Sequence, residues 1–311
     1  MNVLLVGEES AGIQMLGEVR RTGHHIVAVM ASPTGTATSG SHLWDAAIKN
    51  GFPVWPANLV KDPALAEKLR AEKVDVILNV HSLYVIHRAV LAAPRIGAFN
   101  LHPGPLPHYA GLNAVSWAIY RSEKSHGVTV HWMAPGIDSG PIAYQSVFPI
   151  DESDTALSVS ARCVREGLPL MMRLLDAAAR NPAEIPAIPQ DLQKREYFGA
   201  QVPEGGRLSW HWPAQRIVDF VRACDYFPFR SPWGHPMTSL GTQELAVLKA
   251  RRTCLRSDAP PGTVGEPTSE GVKVASGDEW VLVTKLAAGK ESLHPAKVLK
   301  GGEQLGSDQS L

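Results

Sequence analysis

An α/β fold is predicted for this chain: a Rossmann-like, mostly parallel sheet in the N-terminal part, followed by a small β-barrel (OB-like). Three observations carry that expectation. Short apolar, β-branched runs alternate with helical patterns through the first half of the chain. A stretch rich in Pro, Ala and Gly near residues 190 to 206 separates that half from a second one built of short strands and Gly, Pro and Asp turns. A length of 311 residues exceeds one ordinary core and suits two domains.

Taken in order, Val3 to Val6 forms a strand that ends at Gly7, and Ile13, Leu16 and Val19 mark the buried stripe of the helix after it. His25 to Ala31 repeats the strand signal, Trp44 to Asn50 reads as helix, and Pro53 to Trp55 as a third short strand. Pro63 to Glu72 is helical in pattern, and Val74 to Val80 is a strongly apolar strand. Ala98 to Leu101 and Gly127 to Met133 supply two more strands, and Thr155 to Arg180 is a long helix with Asp154 as its cap. Strands alternating with helices imply right-handed βαβ units and a parallel sheet. Ligands of such sheets sit outside the carboxyl ends of the strands, so the loops after Val80, Leu101 and Met133 are where chemistry is expected. Beyond the boundary Ala214 to Ala223 is one helix, and the strands around it suit a small barrel. The expected division is a catalytic domain over residues 1–190, a second domain over 206–300, and a tail over 301–311.

Hydrophobic residues make up 44% and charged residues 19% of the chain, which is the composition of an ordered globular protein. Thirty basic residues balance thirty acidic ones, so no net field draws in nucleic acid or an anionic membrane, leaving only local patches for such roles. Cys163, Cys224 and Cys254 are far apart and lack metal or CxxC spacing; they read as packing residues of a reduced, cytoplasmic protein, and no metal site is expected. The apolar run at the N-terminus is too short for a signal peptide, and no stretch reaches the roughly 18 apolar residues needed to span a bilayer.

The segment Phe99-Asn100-Leu101-His102-Pro103-Gly104-Pro105-Leu106-Pro107-His108-Tyr109-Ala110-Gly111 starts as a strand and becomes a loop stiffened by prolines. Strand alternation puts Asn100 and His102 on one face. A fixed amide can hydrogen-bond a developing oxyanion, and an imidazole can move a proton near neutral pH, the two requirements of acyl transfer. Gly136-Ile137-Asp138-Ser139-Gly140-Pro141 follows the strand Gly127 to Met133, and if the two loops adjoin, Asp138 can orient His102. Read singly, each of these is a turn or surface residue; the combination carries the argument. Gly7 and Gly12 lack G-x-G-x-x-G spacing and flank Glu8 and Glu9, so they read as a tight strand-to-helix turn and not as a nucleotide loop. Trp210, Trp212, Trp233, Tyr226, Phe227 and Phe229 are either barrel core or the wall of a pocket.

The Asn-x-His strand, the Pro-rich loop through Gly111, and Gly-Ile-Asp-Ser-Gly downstream together resemble the folate-dependent formyltransferase family. The resemblance covers Met1 to about Arg180 as the catalytic domain and Arg207 to about Leu299 as the smaller domain of its two-domain members. It implies that Asn100, His102 and Asp138 are the catalytic residues. It also implies that Val80, His81, Ser82, Leu83, Tyr84, Val85 and Ile86 hold the pterin of 10-formyltetrahydrofolate, the cosubstrate, through their backbone. Transfer would be direct, without a formyl-enzyme intermediate.

The leading expectation is N-formylation of a small-molecule or carrier-bound amine, in the manner of natural-product assembly enzymes, whose wording Gly104 to Asn113 is similar to. Gly104, Tyr109, Trp210, Tyr226, Phe229 and Trp233 are the residues expected to contact the acceptor. Formylation of methionyl-tRNA is the second reading. Against it stand the loop wording Gly104 to Ala110, which replaces Ser-Leu-Leu-Pro and its following basic residues, and the absence of Lys and Arg from Pro33 to Ser41. Hydrolysis of 10-formyltetrahydrofolate and a non-catalytic folate-binding role are the remaining alternatives.

Overall fold

The computed structural model describes residues 1–33, 42–289 and 291–306. The loop whose lack of basic residues weighs against tRNA falls almost wholly outside the described residues, as does the tail beyond residue 306. Clustering of the chain gives two compact units: Met1–Ala114, Ser125–Pro149 and Ser160–Phe198 in the first, and Val115–Lys124, Ile150–Val159 and Gly199–Leu311 in the second.

The N-terminal part runs β1 (Asn2–Gly7), α1 (Glu9–Arg20), β2 (His25–Ala31), α2 (Leu43–Lys49), β3 (Val54–Pro56), α3 (Leu65–Ala71), β4 (Val76–Val80), α4 (Arg88–Leu91), β5 (Gly97–His102), β6 (Ala110–Gly111), α5 (Ala114–Tyr120), β7 (Ser125–Trp132), β8 (Ile142–Pro149), α6 (Ala156–Arg180) and β9 (Tyr197–Phe198). Seven of these strands form one sheet in the order β3-β2-β1-β4-β5-β7-β8. The five from β3 to β5 are parallel; β7 and β8 are antiparallel to their neighbours. The central strands are continuous apolar runs because helices cover both faces, which removes the polar alternation of a half-exposed sheet. On one face Leu4, Val6, Ala28, Met30 and Ile77 pack with Leu65, Leu69 and Val90 into a single cluster.

The expected strands and the long helix all form, with bounds shifted by one or two residues. Helix α5 and strand β8 were not anticipated. Ile142–Pro149, to which the sequence reading assigned no element, pairs antiparallel along the edge of β7 as β8. Asp154 stands just before α6, and its Oδ1 accepts from Ser158 Oγ at 2.7 Å.

The second part contains α7 (Ala214–Ala223), β10 (Met237–Leu240), β11 (Gln243–Arg256), β12 (Val264–Pro267), β13 (Val272–Ala275), β14 (Glu279–Ala288), β15 (Glu291–Leu293) and β16 (Leu305–Gly306). Its antiparallel sheet has the order β12-β13-β14-β11-β10-β16, with β15 beside β14. The sheet curls until its two edges meet. The Val264 N–H donates to Glu303 O at 2.8 Å, and the Leu305 N–H to Gly262 O at 2.9 Å. Leu305 and Gly306, expected to lie in the tail, pair with Leu240 and Ser239. Helix α7 lays Ala214, Ile217, Val218 and Val221 against Val247, Val281 and Val283 in the core of this unit.

Of the three cysteines, Cys163 and Cys224 are buried and burial pushes both thiols up to about 12, whereas Cys254, expected to be a packing residue, is exposed. No described helix is long and apolar enough to cross a membrane.

Two glycines in helices make opposite predictions. A Cβ on Gly167 of α6 would lie 2.6 Å from Leu101 Cδ1 and 3.0 Å from Val128 Cγ2, whereas one on Gly17 of α1 meets nothing within 4 Å. Gly167→Val should lower the unfolding free energy by about 1–3 kcal/mol through overpacking. Gly17→Ala should raise it by about 0.5–1 kcal/mol through helix propensity. Urea denaturation of the two variants checks both signs.

Candidate active site

Strand β5 supplies the first two side chains, and its alternation does place Asn100 and His102 on one face. Strand β7 runs antiparallel beside it, with His131 opposite Asn100 and Thr129 opposite His102. On the other side the parallel register sets Asn79 of β4 next to Asn100. A row of polar groups thus crosses three central strands that are otherwise largely apolar.

Hydrogen bonds along this row have a direction. Asn79 Nδ2 donates to Asn100 Oδ1 at 2.8 Å, and Asn100 Nδ2 lies 3.1 Å from His131 Nε2. His131 Nδ1 is 2.8 Å from the Trp132 carbonyl oxygen. A carbonyl only accepts, so in the neutral ring Nδ1 carries the proton and Nε2 accepts from Asn100.

Asp138 comes from the β7–β8 connection, by a route the sequence reading did not foresee. Because β7 is antiparallel, its end lies against the start of β5, where the Met133 N–H donates to Ala98 O at 2.8 Å. The loop after Met133 therefore does not leave from the carboxyl end of the parallel strands. It folds back toward the polar row and brings the carboxylate there. Asp138 takes a left-handed backbone conformation, φ 50°. Gln190 straps this loop down, its Nε2 donating to Asp138 O at 3.0 Å and to Gly140 O at 2.6 Å. Gly140 has no room for a Cβ against the Trp132 carbonyl.

The carboxylate meets four polar groups from three segments. Asp138 Oδ2 accepts the Gly111 N–H at 2.8 Å and lies 3.4 Å from His102 Nδ1. Oδ1 lies 3.4 Å from His131 Nε2 and 3.5 Å from Asn100 Nδ2. Burial opposes ionisation of Asp138, but its interactions with the His102 and His131 rings and with the Gly111 amide outweigh it and hold the carboxyl down at about 2. His102 is 3% exposed, and burial depresses its pKa against the pull of Asp138 and the Tyr109 carbonyl. Its Nε2 donates to Tyr109 O at 2.7 Å, so the neutral ring has its lone pair on Nδ1, facing Asp138. A proton taken there yields an imidazolium whose two N–H groups already have acceptors.

The Pro-rich loop is held by β7 and β8. Thr129 Oγ1 donates to Gly104 O at 2.7 Å and accepts the Leu106 N–H at 3.2 Å, while Gln145 Nε2 donates to Leu106 O at 2.9 Å. A Cβ on Gly104 would stand 2.8 Å from His102 Nε2, so this glycine lets the loop lie against the imidazole. The Tyr109 ring is buried and stacks on Phe198, with centroids 5.4 Å apart. Gly104 and Tyr109, expected to contact an acceptor, instead form the support of His102.

Val80 to Ile86 leaves the carboxyl end of β4 beside that of β1, where the strand order reverses and α/β sheets form their crevice. Val80 still pairs with β1 and β5, whereas residues 81–86 are irregular and outside any ladder, with Leu83 and Val85 exposed and Ile86 buried. Gly7 makes the expected tight turn: a Cβ there would meet Val80 O at 2.7 Å. Glu8 is tied to the end of β2, its Oε1 accepting from Ser32 N at 2.8 Å and Ser32 Oγ at 2.7 Å.

The aromatic residues of the second unit divide. Trp210 is 1% exposed in the core, with Nε1 donating to Thr238 Oγ1 at 3.0 Å, so it lines no pocket wall. Trp233 is also buried, edge-on to Trp117 at 4.9 Å. Tyr226 is half-buried with its hydroxyl 3.0 Å from Ser116 Oγ, and Phe227 and Phe229 are exposed. Of the residues expected to contact the acceptor, only Phe229 is fully at the surface and Tyr226 partly so.

Sequence reasoning missed Asn79, His131 and Gln190. His131 stands on an anticipated strand, alternating with Thr129, but only the pairing register shows that it faces Asn100. Among the described residues no group of three or more His, Cys, Asp and Glu is arranged to hold a metal ion.

A family profile described as formyl transferase matches residues 1–175, and another described as formyl transferase, C-terminal domain, matches residues 202–303. The chain belongs to the formyl transferase family. A methionyl-tRNA formyltransferase of Legionella pneumophila (strain Paris) is 29% identical over 294 residues, covering 92% of this chain and 90% of the relative. One of Roseiflexus castenholzii is 33% identical over 295 residues, covering 91% of each chain. Among solved structures, an N-formyltransferase from Helicobacter canadensis in complex with folinic acid and dTDP-3-aminofucose has a TM-score of 0.67 at 17% identity, covering 92% of this chain and 98% of that one, a likeness of fold.

This formyltransferase should lose stability in acid by two separate titrations. His126 is fully buried between Tyr109 and Phe148, its Nε2 2.9 Å from Pro103 O, and burial pushes its pKa down to about 4. A depressed folded-state pKa means stability that is complete above about pH 6.5 and lost as the pH falls through 4, worth up to about 3 kcal/mol. Asp138 adds a second loss from about pH 4 down to 2. Urea unfolding across this range should show both slopes, and His126→Leu should be less stable at pH 7 yet show a shallower first slope, since His102 is depressed by burial as well.

Proposed function

We propose that this enzyme transfers the formyl group of 10-formyltetrahydrofolate to the amine of a small-molecule or carrier-bound acceptor, with Asn100, His102 and Asp138 as its reaction centre. One observation carries the reading: an amide and an imidazole on one face of β5, each about 3.5 Å from one buried carboxylate, beside the sheet's carboxyl-end crevice. The amine nitrogen attacks the formyl carbon, and the carbonyl oxygen becomes an oxyanion that accepts from Asn100 Nδ2. His102 Nδ1 takes the amine proton, and the resulting imidazolium is stabilised by Asp138. The same proton then goes to the folate nitrogen as the bond from that nitrogen to carbon breaks. The carbonyls and amides of Val80 to Ile86, flanked by exposed Leu83 and Val85, suit a flat heterocycle with a hydrogen-bonding edge. This chemistry needs no metal.

Balanced charge over the chain supports a small acceptor. A second reading, formylation of methionyl-tRNA, is favoured by the relatives of that name, which are similar along nearly the whole chain. A panel of amines, amino sugar nucleotides, hydroxylated ornithine-type amines and methionyl-tRNA, each incubated with 10-formyltetrahydrofolate and read by mass spectrometry, separates the two. A tRNA substrate held through several phosphates should weaken with salt at a log-log slope of roughly −0.7 to −0.9 per phosphate neutralised. Efficient formylation of methionyl-tRNA with that slope rejects the small-acceptor reading, and steady deformylation without any amine rejects transfer.

Asn100→Ala should lower turnover by about 100 to 1,000-fold. His102→Ala and Asp138→Ala should each lower it by about 100 to 10,000-fold, and the losses should not multiply in combination. Turnover per folded molecule, measured beside thermal unfolding, distinguishes this from residues that only shape their loops. Near-normal turnover in any two variants rejects the mechanism.

A further inference from the structure

We propose that Asn79 is a positioning residue for the transfer reaction: it fixes which end of the Asn100 amide faces the reacting formyl group. The inference rests on the role given above to Asn100, and it concerns a residue outside the reaction centre named there.

Asn79 is 7% exposed, in the middle of a strand whose other members are Val76, Ile77, Leu78 and Val80. A buried amide in such a place is unfavourable unless both its ends are satisfied. Here only one end is. Asn79 Nδ2 donates to Asn100 Oδ1 at 2.8 Å, and Asn79 Oδ1 has no hydrogen-bond donor among the described residues.

Other orientations are worse, and the reason begins at a backbone carbonyl. The Trp132 oxygen takes the proton of His131 Nδ1, so His131 Nε2 presents a lone pair to Asn100. Turning Asn100 over would set its Oδ1 against that lone pair and in place of the Nδ2 that now lies 3.5 Å from the Asp138 carboxylate. Turning Asn79 alone would set two carbonyl oxygens against each other. The polarity of the row is therefore unique, and the unsatisfied Asn79 Oδ1 is its free end.

The consequence falls on Asn100 Nδ2. One of its hydrogens goes to His131 Nε2 at 3.1 Å; the other faces the Asp138 side at 3.5 Å, too long for a strong bond, and stays available to an oxyanion. Asn79 grips the opposite end of the same amide. Without that grip the amide rotates about its last torsion, and the donor is no longer aimed before the charge develops, which is the condition for oxyanion stabilisation without reorganisation.

The test uses the full chain with 10-formyltetrahydrofolate and the acceptor amine identified by the panel above. Asn79→Ala should lower kcat about 10-fold, the worth of about one aimed hydrogen bond, with the KM for the folate changed less than about twofold. In an Asn100→Ala background the same substitution should change nothing further. Asn79→Asp, which can only accept, should turn the Asn100 amide over and cost about 100-fold. An effect of Asn79→Ala that multiplies independently with that of Asn100→Ala, or that appears as a weaker folate KM at unchanged kcat, overturns the inference. Normal turnover of Asn100→Ala itself would instead sink the underlying mechanism, so the two failures are distinct. A second measurement needs no acceptor. The Asn100 Nδ2 proton resonances, assigned in ¹⁵N-labelled protein by their absence from Asn100→Ala, should exchange with solvent distinctly faster in Asn79→Ala. Unchanged exchange rejects the role even if Asn79→Asp fails to fold.

Discussion

A buried carboxylate organises the centre of this protein. Asp138 is 9% exposed, and an anion so placed persists only where donors converge on it. The Gly111 N–H and Asn100 Nδ2 donate to it, and the rings of His102 on β5 and His131 on β7 stand 3.4 Å away, so that three segments far apart in sequence meet at this group. Each of these groups is itself constrained. His102 is fixed at its far nitrogen by the Tyr109 carbonyl, and His131 at its far nitrogen by the Trp132 carbonyl. The Gly111 amide is set by a turn of the chain at φ 94°. The carboxylate in turn keeps the 136–140 loop folded back, so the anion and the loop that carries it depend on each other.

The change of strand direction at β7 makes this possible. Five parallel strands build the platform, and their carboxyl ends form the crevice by the general logic of such sheets. An all-parallel sheet would have brought a sixth strand's loop to that same edge. The antiparallel pair β7 and β8 instead puts a hairpin connection at the opposite end, and its length of chain bends back toward the polar row. One antiparallel register thereby places His131 opposite Asn100 and folds Asp138 against both.

The second unit is organised on different terms. Its core is a curled antiparallel sheet around α7, and the tryptophan that looked most like a binding surface, Trp210, fills that core. Beside it Arg222 donates to the fully buried Asp219 at 2.7 Å and to the carbonyls of Asp151 and Asp154 at 2.8 and 3.0 Å. A buried ion pair satisfied in this way specifies an arrangement more than it adds stability.

Much of the first unit was legible because its signals are local. Apolar runs such as Val76 to Val80 and helical periodicity such as that of α1 depend on nearest neighbours and on burial of a face, which a single sequence displays. Asn100 and His102 were readable for the same reason, since strand alternation alone puts them on one face. Tertiary structure decided what depends on pairing. Strand β8, unassigned from sequence, is defined by its antiparallel pairing with the edge of β7. Asn79 and His131 carry no mark in the sequence that separates them from other buried polar residues of strands. Their place beside Asn100 comes from two registers, one parallel and one antiparallel, and a shift of either by one residue would turn their side chains to the opposite face. Trp210 shows the converse: aromatic content is visible in a sequence, but whether a ring faces a core or a ligand is set by what packs against it. Residue types and local periodicity state which groups are present, and only the register of strands distant in sequence determines which of them meet.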